Sequence, residues 1–226
     1  MQGLNRNIRV SRSWLYGFLI IAFTVGYASL RYHYFLGIPT ERFSLYVLNK
    51  AVSWSAVIFI GWSFLLGIIS AHREPRDGSL AAERKPVGLI GAGLALVHVL
   101  MSLPILTPSY FPNFFASGER QVFTAGIEAS LLFGCLALIL FLLPVIASFP
   151  GMKDALGQER WRRWQRWAYL AYFLTLLHVL PVTHANWRSP RDWPGLLPPI
   201  SLLSGLWILL VISLRLVFSR RKRSLS

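Results

Sequence analysis

The sequence has few of the residues that thiol chemistry requires and none of the common nucleotide-binding motifs. Its single cysteine, Cys135, lies inside an apolar stretch, which excludes a disulfide framework and a thiolate metal site. Acidic residues are also scarce, with 9 Asp and Glu against 23 Lys and Arg. No GxGxxG dinucleotide fingerprint and no P-loop sequence occurs. The chain alone therefore offers no recognisable site for NAD(P)H or ATP.

Charged residues make up only 14% of the chain, whereas hydrophobic residues make up 54%. The mean hydropathy is +0.51. Long apolar blocks in this proportion exclude a soluble domain and predict an integral membrane protein. The net charge of +14 would also suit nucleic acid, but the cations lie in short runs between apolar blocks. That pattern is typical of the positive-inside rule, so the expected partner is a lipid bilayer and not nucleic acid.

Six apolar blocks are long enough to cross a hydrocarbon core of roughly 30 Å as helices of about 20 residues. They lie near residues 14–36, 46–70, 87–106, 122–147, 166–183 and 199–218. The predicted fold class is an all-α, six-transmembrane-helix bundle over residues 14–218, with an N-terminal segment, 1–13, and a basic tail, 219–226. The first block is too long for a signal-peptide core and lacks a small-residue cleavage site, so we expect it to be retained. Residues 71–86 are predicted to form a surface loop.

The distribution of cations predicts which helix ends face the cytoplasm. With the N-terminus inside, 17 of the 23 Lys and Arg residues fall on the inner side. The outer cations are Arg31, Arg42, Lys50, Arg120, Arg188 and Arg191. Both termini are therefore predicted to be cytoplasmic, and the expected location of this multi-pass protein is the bacterial inner (plasma) membrane.

Two histidines, His98 and His178, lie deep inside apolar blocks. An imidazole in hydrocarbon is costly and usually marks a function. His98 is 12 residues beyond Pro86, and His178 is 12 residues beyond Arg166, at the inner ends of their blocks. At 1.5 Å per residue, each imidazole would lie roughly 18 Å from the inner boundary. Histidines at matched depth on two helices can supply both axial ligands of a b-type haem.

Small residues precede His98, and two of them share its helix face. Gly91 and Ala95 are seven and three residues before the histidine, which would let a porphyrin plane approach the backbone. The alternative is that these residues ease helix packing and that each histidine hydrogen-bonds a neighbouring helix. His33, His72 and His184 lie at helix ends or in a loop, and we expect them to be ordinary interfacial residues.

The stretches ERKPVGLIGAGLALVHVLMSL and LGQERWRRWQRWAYLAYFLTLLHVLP resemble the ferric-reductase-like transmembrane domain. That superfamily includes the six-helix haem cores of NADPH oxidases and metalloreductases and the MsrQ-like haem subunits. The resemblance covers the third to fifth blocks closely and the six-span layout loosely. It implies that His98 and His178 are the axial ligands of the haem nearer the outer face.

The MsrQ-like pattern carries a further histidine 13 residues before the last one, and Gln165 stands at that position here. An amide is a poor haem ligand, so the resemblance implies one haem b and not two. In the metalloreductases a flavin from the cytoplasm takes the inner position. We therefore expect FMN or FAD, or a quinone, near Gln165, Arg162 and Arg166. The positive charge of the two arginines would favour a reduced, anionic carrier. The arginines and tryptophans of 160–167 also suit a plain aromatic and cationic membrane interface.

These observations predict an electron-transfer subunit, an oxidoreductase component without its own NAD(P)H domain. Electrons would come from a cytoplasmic flavin reductase or from membrane quinol, and would leave to ferric iron or a periplasmic redox partner at the outer face. The alternative is a haem-free membrane scaffold or small-solute transporter. A further expectation concerns Lys50 and Glu128, which have opposite charge and similar depth. We expect them to pair directly or through water, or each to meet another polar group in the bundle; the alternative is that Lys50 extends to the interface.

Overall fold

The computed structural model describes residues 12–72, 79–116 and 122–223, and within these ranges it contains six α-helices and no β-sheet. One isolated β-bridge joins Phe115 to Phe123. The helices are α1 (Arg12–Ala28), α2 (Asn49–His72), α3 (Ser79–Ser102), α4 (Ala125–Ile146), α5 (Met152–Trp187) and α6 (Ile200–Arg223). The all-α prediction is confirmed.

Five helical segments of the described chain are long and apolar enough to cross a membrane. They are Leu15–Phe35, Thr40–Ala71, Ala82–Ile105, Ala125–Ile146 and Pro194–Phe218. By length and composition the protein is therefore a multi-pass membrane protein. Helix α5, which contains the fifth predicted block, 166–183, is not among the five segments. Six crossings and cytoplasmic termini remain predictions.

Two helices begin well before the apolar blocks that predicted them. Helix α3 starts at Ser79, so the prediction of a surface loop over 71–86 is wrong from that residue onward. The reason is composition, since Ala, Glu, Arg and Lys before Pro86 are strong helix formers even though they are polar. Helix α5 starts at Met152 and includes the arginine and tryptophan run, with a break at Gly157, where φ is 72° and ψ is 157°.

The helices pack as antiparallel neighbours. Helix α3 packs chiefly on α2, and α4 packs chiefly on α5, whereas α3 and α4 contact each other little. Ser63 of α2 donates a hydrogen bond to the carbonyl of Arg84 of α3 at 3.0 Å. Trp161 of α5 donates to the carbonyl of Ala147, just after α4, at 2.8 Å. We call the end at which α2 and α4 finish the basic end, and the other the opposite end.

Helix α2 lies at the centre of the bundle, against α1, α3 and α6. Its core contact with α5 is made by Tyr172, which is 1% exposed and donates its hydroxyl to the carbonyl of Val57 at 2.9 Å. A leucine-rich outer surface remains exposed on the other helices, including Leu100, Leu132 and Leu209. An exposed apolar surface of this extent suits contact with lipid.

Accessibility labelling of single cysteines tests the predicted topology. In a Cys135→Ser background, cysteines at positions 79 and 224 should react with a membrane-impermeant reagent only from the cytoplasmic side. Cysteines at positions 117 and 189 should react from the outside. The expected pattern follows from the distribution of Lys and Arg between the two sides. A reversal at any one of the four positions contradicts the six-span arrangement.

Candidate functional site

His98 of α3 and His178 of α5 line the same cavity, which has a volume of about 250 Å³. We call it the histidine cavity. Its wall contains residues of α2, α3, α4, α5 and α6, among them Asn49, Ser130 and Ser204. The structure thus brings together the two histidines that the sequence singled out, although all of α4 and most of α5 lie between them along the chain.

The two histidines lie near the same level of the bundle, as their contacts with α2 indicate. His98 contacts Asn49 at the start of α2. Tyr172 of α5 contacts Val57 of α2, so these two residues mark one level of the bundle. His178 follows Tyr172 by six residues and therefore lies about 9 Å from that level, toward the opposite end. Asn49 precedes Val57 by eight residues, about 12 Å in the same direction. The levels of the two imidazoles therefore agree within about one helical turn.

A chain of hydrogen bonds fixes the tautomer of His98. Ser102 donates its hydroxyl to the carbonyl of His98 at 2.7 Å, so its oxygen is free to accept. Asn49 donates its side-chain Nδ2 to that oxygen at 2.9 Å, which turns the amide oxygen Oδ1 toward the imidazole. Oδ1 lies 2.7 Å from His98 Nδ1 and can only accept. His98 is therefore protonated at Nδ1, with the lone pair at Nε2.

Backbone geometry gives His178 the same tautomer. Its Nδ1 lies 2.8 Å from the carbonyl oxygen of Ser130 on α4, and a carbonyl oxygen can only accept. Ser130 in turn donates its hydroxyl to the carbonyl of His178 at 2.6 Å. This pair of hydrogen bonds ties α4 to α5 and orients the ring, leaving the lone pair of His178 at Nε2.

Both imidazoles thus have Nδ1 engaged and Nε2 unbonded within the described part of the chain. A metal-ligating histidine almost always donates its other ring N–H to an oxygen acceptor, which fixes its orientation and raises its basicity. The described residues contain no cluster of three or more His, Cys, Asp or Glu side chains suited to a metal ion. The donor set is two prepared imidazoles in an apolar cavity, which suits an iron whose other ligands come from a macrocycle.

The positions of the small residues around the histidines agree only in part with those expected from the sequence. Ala95 lines the histidine cavity, but Gly91 does not, and its expected place beside a porphyrin is corrected. A Cβ at Gly91 would lie 2.7 Å from Cγ1 and 2.9 Å from the backbone nitrogen of Ile60, because α2 packs there. The glycine that serves a histidine is Gly134 of α4, where a Cβ would lie 2.8 Å from His178 Nδ1.

A second cavity of about 430 Å³ lies nearer the basic end, and we call it the basic-end cavity. Gln165 lines it and donates Nε2 to the carbonyl of Pro144 at 3.3 Å. Arg162 and Arg166 are exposed and are not part of its wall, so their expected place beside Gln165 is corrected. Gln165 faces α4, since its amide contacts the carbonyl of Pro144 and the hydroxyl of Ser148. The cations in this wall are Arg84, Lys85 and Lys153.

The two cavities are neighbours along the bundle axis. Ile60 of α2 and Phe141 of α4 line both of them and separate their volumes. Both residues belong to the buried core and are at most 8% exposed. The arrangement is therefore two successive chambers, one with paired imidazoles and one with cations, joined across a thin apolar partition.

The expected pairing of Lys50 with Glu128 is absent from the described part of the chain. The Lys50 ammonium lies over three aromatic rings, whereas Glu128 is exposed in the first turn of α4. His33 lies outside the histidine cavity, with Nδ1 2.6 Å from the carbonyl oxygen of Ile38. The side chains of His72 and His184 fall outside the described residues.

The sequence did not indicate the groups that orient the imidazoles. Asn49 and Ser130 are buried polar side chains inside apolar helices, and that property alone marks them as functional candidates. Comparison with known proteins adds no assignment, because no family model matches the chain and no curated protein matches it. The interpretation of the site therefore depends on its own geometry.

Proposed function

We propose that this protein is a membrane electron-transfer subunit that holds one b-type haem between His98 and His178. The observation that carries the proposal is the pair of imidazoles in one cavity, each with Nδ1 hydrogen-bonded and Nε2 free. The resemblance of the third to fifth apolar blocks to the ferric-reductase-like transmembrane domain supports the same conclusion. The proposal makes the chain an oxidoreductase component.

The residues of the histidine cavity fit the ligation of this group. Nitrogen donors approach from α3 and α5, and apolar side chains such as Val57 and Leu131 line the space between them. The volume of about 250 Å³ is slightly below the roughly 300–1,000 Å³ of typical ligand pockets. A macrocycle therefore requires the bundle to widen. Helices α3 and α4 are packed sparsely against each other, so widening between them would break little packing.

Each residue of the site has a defined task in this proposal. His98 and His178 ligate the iron, and Asn49 and Ser130 hold the two rings in the ligating tautomer. When bound, the haem supplies one-electron chemistry, and the protein sets its position and potential. The apolar wall excludes water, which would otherwise compete for the iron.

The basic-end cavity is the proposed site of electron entry. Its cations, Arg84, Lys85 and Lys153, would attract an anionic carrier, and Trp161 in the same wall offers a ring for stacking. These properties suit FMN or FAD, or a quinone. Gln165 supplies an amide rather than an imidazole there, which favours one haem per chain. Ile60 and Phe141 belong to the walls of both cavities, so this carrier would lie next to the histidine cavity.

The proposed orientation places both termini and the basic end in the cytoplasm. A cytoplasmic flavin reductase or membrane quinol would donate electrons at the basic end. Ferric iron or a periplasmic redox partner would accept them at the opposite end, across a plasma membrane, the inner membrane if the source is bacterial. The cation distribution supports this direction, because 17 of the 23 Lys and Arg residues fall on the proposed inner side.

An absorption spectrum tests the proposed function. Protein purified after expression with ample haem supply should show a Soret band and a low-spin b-type spectrum, and a pyridine haemochrome assay should give one haem per chain. Two haems per chain contradict the single-haem proposal. Absence of haem contradicts the electron-transfer function and favours a haem-free scaffold or transporter.

Replacement of Asn49 is expected to weaken haem binding, because its amide oxygen holds His98 in the tautomer that leaves Nε2 free. Replacement by leucine removes the acceptor at His98 Nδ1, and loss of such a partner typically weakens metal binding about 10–100-fold. Asn49→Asp keeps an acceptor oxygen and should retain haem much better. The measurement is the equilibrium affinity for haem, with the helical content checked by circular dichroism. Equal affinities for the leucine and aspartate variants would contradict the role of Asn49.

A further inference from the structure

We infer that the ammonium group of Lys50 binds a carboxylate of the molecule that enters the histidine cavity. The inference rests on the proposed function, because it concerns the same cavity and its occupant. It extends that function by assigning a binding residue that is neither an axial ligand nor a partner of one. The carboxylate has two possible sources, a propionate of a bound haem or a small carboxylate-bearing electron acceptor.

Lys50 lies in the wall of the histidine cavity, in the first turn of α2. It directly follows Asn49, whose amide is bonded to His98. The side chain is half-buried and belongs to the membrane-spanning segment Thr40–Ala71. A charged side chain at such a position is costly unless it faces the bundle interior and meets a partner.

Three aromatic rings surround the Lys50 ammonium. Nζ lies 4.6 Å from the ring centre of Tyr46, 5.0 Å from that of Tyr32 and 5.6 Å from that of Phe111. Such contacts attract a cation by about 0.5–2 kcal/mol but leave its charge in place. No carboxylate of the described chain lies within ion-pair distance of Lys50. Tyr32, Tyr46 and Phe111 thus form an aromatic cage around a cation that has no carboxylate partner in the described chain.

The cage is built by local backbone structure and by ring stacking. Tyr32 lies in a π-helical stretch, Ser29–Phe35, and Tyr46 lies in another, Phe43–Leu48. Short π-helical stretches occur frequently at functional sites. Phe111 stacks on Tyr46, with ring centres 5.4 Å apart and planes inclined by 25°. The rings thus fix the ammonium in the cavity wall.

A carboxylate is the ligand chemistry that this arrangement recognises. The ammonium is a compact point charge with three donors, which suits an anionic oxygen. Much of the rest of the wall is apolar, so an occupant needs a largely apolar body with a charged edge directed at Lys50. Haem has this form, and so does a small aromatic or chelating acceptor that carries a carboxylate.

Haem retention and reoxidation rates test the inference. Haem-loaded Lys50→Gln protein is mixed with excess apomyoglobin, and the rate of haem transfer is compared with that of the unsubstituted protein. Both proteins are also reconstituted with haem dimethyl ester, in which the propionates are blocked. If a propionate binds Lys50, the substitution should speed loss of haem about tenfold and leave loss of the ester unchanged, since removing one partly buried charge pair has an effect of this order.

The second arm addresses the acceptor. Reduced protein is mixed with ferric citrate, which carries carboxylates, and separately with hexaammineruthenium(III), which is a cation. If the acceptor binds Lys50, the substitution should slow reoxidation by ferric citrate about tenfold, leave the rate with hexaammineruthenium(III) unchanged and leave haem loss unchanged. Lys50→Arg keeps the charge and should preserve the parental rates in both arms.

Arg191→Gln is the matched control, because Arg191 is an exposed cation in the link before α6, at the same end of the bundle. It should change none of the rates. Parental rates for Lys50→Gln in haem-loaded protein overturn the assignment of Lys50 and leave the proposed function standing. Absence of haem from the unsubstituted protein overturns both.

Discussion

Replacement of either His98 or His178 by alanine is expected to abolish the low-spin b-type haem spectrum. Both imidazoles line the histidine cavity and both have Nε2 available, so each substitution removes one of the two proposed axial ligands. The expected loss is nearly complete, because no other histidine whose side chain the structure describes lines that cavity. The measurements are the Soret absorbance per chain and the visible bands of the reduced protein.

A folding defect and the loss of a ligand can be separated in the same experiment. His98→Gly and His178→Gly leave space for free imidazole, which should restore a low-spin spectrum if only the ligand is missing. His33→Ala is the matched control, since that histidine lies outside the cavity and bonds the carbonyl of Ile38. A parental spectrum in either His98→Ala or His178→Ala would show that the replaced residue is not an axial ligand.

The sequence was sufficient to find the histidine pair because depth along a helix can be counted. Equal distances from the charged inner ends placed His98 and His178 at one level, and the structure brings both into one cavity. The all-α class and the multi-pass character followed from apolar block length. Each of these properties depends on a single helix, so the sequence pattern of that helix is enough to predict it.

The partners of the histidines depend on how one helix lies against another, which local pattern does not report. Asn49 is 49 residues from His98, and Ser130 is 48 residues from His178. Their contacts follow from the register of the α2–α3 and α4–α5 pairs. The same limit explains Gly91, which shares a helix face with His98 but lies against Ile60 of α2.

The cations of the basic-end cavity illustrate a related limit. Arg162 and Arg166 are near Gln165 in sequence, but their side chains are exposed. Arg84 and Lys85, from the start of α3, reach the cavity because α3 begins before its apolar block. If the start of a helix is placed where hydropathy rises, the polar residues of its first turns are wrongly assigned to a loop.

Gly134→Ala is expected to displace the ring of His178 and to lower haem affinity about tenfold or more, as loss of an oriented ligand does. A Cβ at this position would lie 2.8 Å from Nδ1 and 3.1 Å from Cε1 of the ring, closer than carbon atoms pack. The same ring nitrogen is hydrogen-bonded to the carbonyl of Ser130, one turn earlier on the same face of α4. The ring can make room for a methyl group only by giving up that hydrogen bond.

Gly93→Ala on α3 is the matched control, because a Cβ there meets nothing within 4 Å. It should leave haem affinity unchanged and, by reducing backbone freedom, stabilise the helix by about 0.5–1 kcal/mol. The measurements are haem affinity and the thermal midpoint of unfolding in detergent. Because Gly134→Ala leaves the imidazole chemically intact, a loss of haem would show that ring position matters as well as ring identity. Parental affinity in Gly134→Ala would contradict the placement of His178 against α4, and with it the tautomer argument for that ligand.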